Sequence, residues 1–362
     1  MSTHTAIATT SKGQFDAIQV PTETPGEGEV LVKVEYSSMV AFDTYMTDMG
    51  YGVTSYPVVL GFNVSGIVAK LGPGVDDLAE GDRVTAFGYI SSRSRGMQEY
   101  SVQSRTVCAK VPDSVSLDAA ATIPDNFITA FSALFGLLSL PVPSSFPAPA
   151  PPPLASAAIL IYGAGSTAGQ YAIQLLHSAG YKNIIATASA KNHDHLRSLG
   201  AASTFDYRSP DLAKDIAAAA GGDGKVTLVL DCVTTLEDSV AAIAKVISPL
   251  GTLALLIPVK VGTTLSVDHV GKLLDDIPED KNPLPEGTKV VHVRAFRYQQ
   301  QEFLKENLMP KILPSLLKSG IIKPNRVRLM DQGTFKERVA MGLDLLRNNK
   351  ISAEKVVVKV QA

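Results

Sequence analysis

Cysteine is nearly absent from this 362-residue chain: Cys108 and Cys232 are the only two. They allow at most one disulfide and cannot build a four-cysteine zinc lobe, which suits a reducing compartment. An excess of charge of one sign is also missing. The formal net charge is -2 and no basic block occurs, so nucleic acid is a poor partner. No long apolar run is present. The most apolar stretch, "ITAFSALFGLLSL", is too short to span a bilayer and stops at Pro141. The opening "MSTHTAIATTSKGQFD" lacks the apolar core of a secretory signal. Histidine is sparse and scattered, at His4, His177, His193, His195, His269 and His292. What remains is ample apolar material, 45% hydrophobic against 19% charged, over a length comfortable for two domains. These features predict a soluble cytoplasmic protein with no nucleic-acid or membrane partner.

The first third is β-rich. "EVLVKVEYSSMV" and "SGIVAKLG" alternate or cluster β-branched residues, and "TPGEGE", "LGPGVDD" and "EGDRV" punctuate them. A compact barrel or sandwich is predicted there. "SLDAAATIPDNFITAFSALFGLLSL" carries helical signals, with Ser116 or Asp118 as the cap. The Pro-rich run at 141–153 follows, which fits neither a helix nor a central strand and predicts an extended solvated loop. From Ala157 strands and helices alternate: "AAILIYG", "AGQYAIQLLHSAG", "KNIIATAS", "KNHDHLRSLGA", "ASTFDYR", "DLAKDIAAAAGG", "VTLVLDCV", "LEDSVAAIAKVI", "GTLALLIP". That rhythm predicts a parallel sheet with helices on both faces, an α/β doubly wound domain. Two helices and the strand "KVVVKV" close the chain, while "VGTTLSVDHVGKLLDDIPEDKNPLPEG" is too irregular to place.

The stretch "ILIYGAGSTAGQYAIQLL" joins a strand to a helix through Gly163, Gly165 and Gly169. A helix N-terminus offers free N–H groups, and glycines let backbone approach a pyrophosphate. The spacing is G-x-G-x-x-x-G rather than G-x-G-x-x-G, so the strand–turn–helix context carries the argument. NAD sites usually place an acid at the end of the next strand. Here "IIATASAKNH" offers Ser189 and Lys191 and no acid before Asp194. Lys191 can pair with a 2′-phosphate, which favours NADPH. His193 and His195 lie at the same helix start and read as solvated.

These stretches, with "SSMVAFDTYM", "PVVLGFNVSGIVAKLGPGVDDLAEGDRVTAFG", "GMQEYSVQ", "LGAASTFDYR" and "GLDLLRNNKISAEKVVVKV", identify a resemblance. The chain resembles the zinc-independent quinone- and enoyl-reductase branch of the medium-chain dehydrogenase/reductase superfamily. It is most similar there to the fungal trans-acting enoyl reductases of polyketide synthesis. The resemblance implies a GroES-like catalytic domain (1–126 and 301–362) and a Rossmann NADP-binding domain (127–300). Zinc relatives carry Gly-His-Glu where this chain has "GFN"; Phe62 replaces the ligand histidine, Asn63 the acid, and Val40 the first cysteine. With no cysteine in "YISSRSRGMQ" either, no metal is expected.

By position, the family implies a pyrophosphate cradle from Ser166, Thr167, Ala168 and Gly169. Ser189, Lys191 and Asn192 would face the 2′-phosphate, and Tyr207 the adenosine phosphate. Leu256, Ile257 and Phe42 would flank the nicotinamide, with Ser352 and Ala353 closing from the C-terminal segment. Asp43 belongs to the cofactor-side loop, although by itself it reads as a hydrogen-bond anchor. Tyr45 falls where polyketide-type reductases have a lysine. Tyr51 falls near the donor tyrosine of mitochondrial 2-enoyl thioester reductases. Thr129 matches a threonine that reaches the carboxamide or the substrate carbonyl. The implied reaction is NADPH-dependent reduction of a C=C bond conjugated to a carbonyl, in a small-molecule carbonyl or acyl substrate. Quinone reduction stays open, as does a non-catalytic NADPH-binding role beside a polyketide synthase. A monomer and a homodimer are both open.

Overall fold

A computed structural model describes residues 2–262 and 271–361; His269 and part of the irregular stretch lie outside the described residues. The chain divides into two compact units. Among the described residues, one holds 2–125 and 296–361 and the other 126–262 and 271–295.

The second unit is built on six strands: β1 (Ile159–Tyr162), β2 (Ile184–Thr187), β3 (Ser203–Phe205), β4 (Val226–Asp231), β5 (Ile247–Leu256) and β6 (Lys289–Val293). All pair in parallel, in the order β3-β2-β1-β4-β5-β6. All four residues of β1 and of β2 are buried. That explains their unbroken apolar runs, since helices on both faces leave no solvent side. Leu160, Ile185, Val229 and Leu253 from the strands pack with Ile216, Val240 and Ile243 from the helices. The strand order reverses between β1 and β4. Such a switch point opens a crevice at the carboxyl ends of the strands, and the glycine turn leaves β1 at that edge.

Two features of this unit were not placed by sequence. β6 comes from "KVVHV", and a small antiparallel pair joins Val259–Val261 to Lys272–Leu274. The Pro-rich run has no helix or strand. It is tied down, with Ala148 N–H donating to the Ser178 carbonyl at 2.8 Å and Phe146 meeting Phe135 edge-on at 6.2 Å.

The first unit carries a seven-stranded sheet. Its centre, Glu29–Ser38, pairs antiparallel with Asn63–Leu71, Tyr100–Ser104 and Glu354–Lys359. A three-stranded sheet joins Gln14–Pro21, Thr3–Ser11 and Val58–Val59. Val30, Val32 and Val34 alternate into a core with Val64, Val68 and Val84. The helix Phe335–Arg347 starts with a reciprocal cap, Thr334 accepting the Glu337 N–H and Glu337 accepting that of Thr334. Arg347 holds Asp48 through two bonds of 2.5 and 2.6 Å. Lys355 on the last strand forms a buried ion pair with Asp125 at 3.0 Å. Among the described residues, no helix is long and apolar enough to cross a membrane.

Candidate active site

The glycine turn after β1 is shaped by three different constraints. Gly163 has φ 73°, and a Cβ there would run into Val233. Gly169 lets the helix Thr167–Ser178 press on the turn; a Cβ would come within 2.7 Å of the Ala164 backbone. Gly165 has no such reason. A Cβ there would meet only Ala188 and Asn192, both at an ordinary 3.5 Å. Its missing side chain keeps open the space in front of the helix. Ser166 is the N-cap, its hydroxyl accepting the Gly169 N–H at 3.1 Å. The N–H groups of Gly165, Thr167 and Ala168 have no acceptor among the described residues. Free N–H groups, an open approach and a helix N-terminus fit a pyrophosphate. The Thr167 hydroxyl donates to the Asn126 side chain at 2.9 Å, on the helix Pro124–Phe131 that also carries Thr129. Thr129 lies inside that helix, half-buried, so it does not act as a cap.

At the edge formed by β2 and β3, Ser189 leads into a short turn carrying Lys191 and Asn192. Lys191 is exposed and Asn192 buried. Tyr207 lies beyond the end of β3, exposed, with the Arg208 guanidinium 4.6 Å over its ring. Sequence reasoning passed over Arg208, though it stands beside Tyr207 in "FDYR". It also missed an acid that arrives from the neighbouring strand. The Asp206 carboxylate accepts the Arg208 and Ala190 N–H groups at 2.9 and 3.2 Å. Those bonds, the Arg208 one foremost, hold it below the usual carboxylate range. The two histidines are not simply solvated: His193 Nε2 bonds the Ala188 carbonyl at 3.1 Å, and His195 Nε2 bonds Gln170 at 3.0 Å.

Leu256 ends β5, and Ile257 follows it, both half-buried. Beside them, Asp231 at the end of β4 accepts from Ser239 at 2.6 Å and from the N–H groups of Val233 and Thr234. Burial raises its pKa, and also lowers that of Lys260 nearby.

The first unit gathers Phe42, Tyr45 and Tyr51. Val40 precedes a short helix, Ala41–Thr44, that widens into a π-turn over Tyr45–Met49. Such turns re-aim side chains. Phe42 is the hub, with ring centroids 5.5 Å from Tyr51, 6.3 Å from Tyr45 and 5.5 Å from Phe62. Burial pushes the Tyr45 hydroxyl up to about 12. Asp43 is fully buried, and its carboxylate accepts the N–H groups of Val40 at 2.9 Å and Gly61 at 2.8 Å. Both oxygens are engaged within the loop, as a hydrogen-bond anchor would be. Ser352 and Ala353 precede the strand Glu354–Lys359, Ala353 with φ 55°.

The positions that would hold zinc have other occupations. Phe62 is part of the aromatic cluster. Asn63 is buried, donating to Ser38 at 2.9 Å and accepting the Asp125 N–H at 2.9 Å. Among the described residues, no three His, Cys, Asp or Glu side chains group as a metal site.

Residues 26–113 match the family of alcohol dehydrogenase GroES-like domains, and residues 168–270 the zinc-binding dehydrogenase family. The chain is 31% identical over 342 residues to the trans-enoyl reductase himH of Aspergillus japonicus, covering 92% of this chain and 90% of the relative. It is 29% identical over 375 residues to the trans-enoyl reductase ACTTS2 of Alternaria alternata, covering 99% and 100%. The Escherichia coli quinone oxidoreductase, solved in complex with NADPH, shares the fold at a TM-score of 0.75 and 21% identity, over 98% of this chain and 99% of the other. With a GroES-like unit, a doubly wound parallel sheet and a relative above 30% identity matched over nine-tenths of both chains, the chain belongs to the medium-chain dehydrogenase/reductase superfamily of oxidoreductases, near the fungal trans-enoyl reductases.

Proposed function

We propose that this protein reduces a C=C bond conjugated to a carbonyl, using NADPH and no metal. The observation that carries the reading is the open cradle at Gly165, Thr167 and Ala168, in a chain 31% identical to a trans-enoyl reductase over 92% of its length. When bound, NADPH supplies a hydride from its nicotinamide. The three free N–H groups and the dipole of helix Thr167–Ser178 bind the pyrophosphate. Lys191 and Arg208 attract the 2′-phosphate, Ser189 and Asn192 offer hydrogen bonds to it, and Tyr207 lies against the adenosine end. Asp206, with two backbone partners, is a weaker recipient for a ribose hydroxyl than it would be if free. Leu256, Ile257, Phe42, Ser352 and Ala353 shield the nicotinamide from water. Thr129 polarises the substrate carbonyl. Tyr45, protonated at neutral pH, delivers the proton to the α-carbon; Tyr51 is the alternative donor.

The test is consumption of NADPH with an unsaturated ketone, a quinone and a pantetheine-linked enoyl thioester in parallel. Turnover of the ketone or thioester above the quinone supports the reading. Turnover of the thioester alone points to a carrier-bound substrate and a polyketide synthase partner. Faster turnover of the quinone overturns the reading in favour of a quinone reductase. Tight NADPH binding with no turnover of any of the three overturns it in favour of a binding role.

A further inference from the structure

The aromatic cluster of the first unit ends in a cation. Arg95 lays its guanidinium over the Phe62 ring, 3.8 Å from the centroid, and Phe62 meets Phe42 edge-on. The Nε and Nη1 atoms of Arg95 are buried and have no hydrogen-bond partner among the described residues. Asp43 is the neighbouring charge; its carboxylate accepts the N–H groups of Val40 and Gly61 and makes no hydrogen bond to either of these nitrogens. The backbone of Arg95 is held in place: its N–H donates to the Ser92 carbonyl at 3.3 Å, and its carbonyl accepts from Gln98 at 2.9 Å. Burial lowers the guanidinium to about 10, with the Asp43 charge opposing, so it is a cation at neutral pH. Buried donors without acceptors destabilise a fold. One that persists on a stacked, positioned side chain points to a ligand that completes it.

We propose that Arg95 is an oxyanion-binding catalytic residue, receiving the enolate oxygen of the substrate; this rests on the reductase reading above. Hydride adds to the β-carbon, the C=C electron pair forms the new bond between the α- and carbonyl carbons, and the C=O π pair moves onto oxygen. The guanidinium hydrogen-bonds that oxygen as its charge grows. The α-carbon then takes a proton, the C=O bond re-forms, and a saturated carbonyl compound and NADP⁺ leave. Phe62, standing where zinc relatives carry a ligand histidine, aligns the cation that takes over the electrostatic task of the metal.

The experiment titrates the full-length protein with acetylacetone, whose enolate has its own ultraviolet absorption, at a pH where the free compound is mostly protonated. It needs no cofactor and no turnover. The wild type raises the enolate absorption, Arg95→Lys keeps part of the effect, and Arg95→Gln loses it. Arg95→Met, which keeps an apolar stem on Phe62, behaves like Arg95→Gln, and thermal melting verifies that each variant is folded. In enone turnover, Arg95→Gln lowers kcat roughly 100–1000-fold with little change in KM. Equal enolate absorption in wild type and folded Arg95→Gln or Arg95→Met overturns the assignment. A wild type that stabilises the enolate through Arg95 but reduces no enone sustains the anion site and defeats the reductase reading alone.

Discussion

Lys191 and Arg208 put two exposed cations at the edge where the adenosine end of a dinucleotide would lie, and Asp206 puts one anion there. Lys191→Glu and Arg208→Glu should each weaken NADPH binding roughly 10–100-fold, because a phosphate-paired cation becomes a repelling anion. NADH affinity should change far less. Fluorescence titration with both cofactors measures this; equal losses for the two would remove these side chains from the phosphate site. Lys191 was readable in the sequence because it follows a strand end directly. Arg208 and Asp206 were not, because a parallel sheet brings them from the next strand. Tyr45 makes a second case. Its hydroxyl rises from an ordinary 10.0 to about 12 because it is buried. A raised pKa means the contribution of this group to stability is full below pH 10 and is lost as pH rises from there through about 12. The acid form therefore persists across the neutral range. Tyr45→Phe should lower enone turnover about 10²–10⁴-fold while NADPH still binds, and the wild-type rate should show no loss assignable to Tyr45 below about pH 10. Turnover unchanged in Tyr45→Phe but lost in Tyr51→Phe would move the donor role to Tyr51.

Gly165 and Gly169 look alike in the motif, yet the turn and the helix treat them differently. At Gly169 an added Cβ meets the Ala164 backbone at 2.7 Å, so Gly169→Ala should destabilise the fold by about 1–3 kcal/mol. At Gly165 the added Cβ meets only ordinary contacts. Gly165→Ala should leave the melting temperature near its wild-type value and weaken NADPH binding, as the methyl occupies the approach of the pyrophosphate. Melting and cofactor titration on both variants separate the roles; the reverse pattern would contradict this reading of the turn. The strand Glu354–Lys359 raises another test. Lys355→Met would leave Asp125 buried without its cation, costing about 3–5 kcal/mol of stability in chemical denaturation, and Asp125→Asn in the same background should recover part of it. Strands β1, β2, β4 and β5 were legible because burial on both faces writes an apolar run. β6 was not, because "KVVHV" is short and sits in a stretch broken by prolines and charges. The π-turn over Tyr45–Met49 left no period to read, since it depends on Asp43 bonding Val40 and Gly61 and on Arg347 holding Asp48. The stacked guanidinium of Arg95 was invisible for a like reason: its ring partner Phe62 lies on a different segment.

For the molecule as a whole, absences and folds speak to different parts of the account. The scarcity of cysteine, and Val40 and Phe62 at ligand positions, were plain in the sequence. They predict that purified protein carries no stoichiometric zinc by elemental analysis and keeps its turnover in a chelator; activity lost to the chelator and restored by zinc would refute that. The doubly wound sheet and the GroES-like unit are shared across enzymes of differing chemistry, so the fold alone leaves the reaction open. The central claim is hydride transfer to a conjugated carbon, and isotope tracing reaches it most directly. NADPH carrying deuterium at both C4 positions of the nicotinamide should be oxidised by the enzyme with an unsaturated ketone, and the product should carry one deuterium at the β-carbon and a solvent-derived hydrogen at the α-carbon. A reduced product without deuterium at the β-carbon, or a ketone left unreduced while the cofactor binds, would contradict the account.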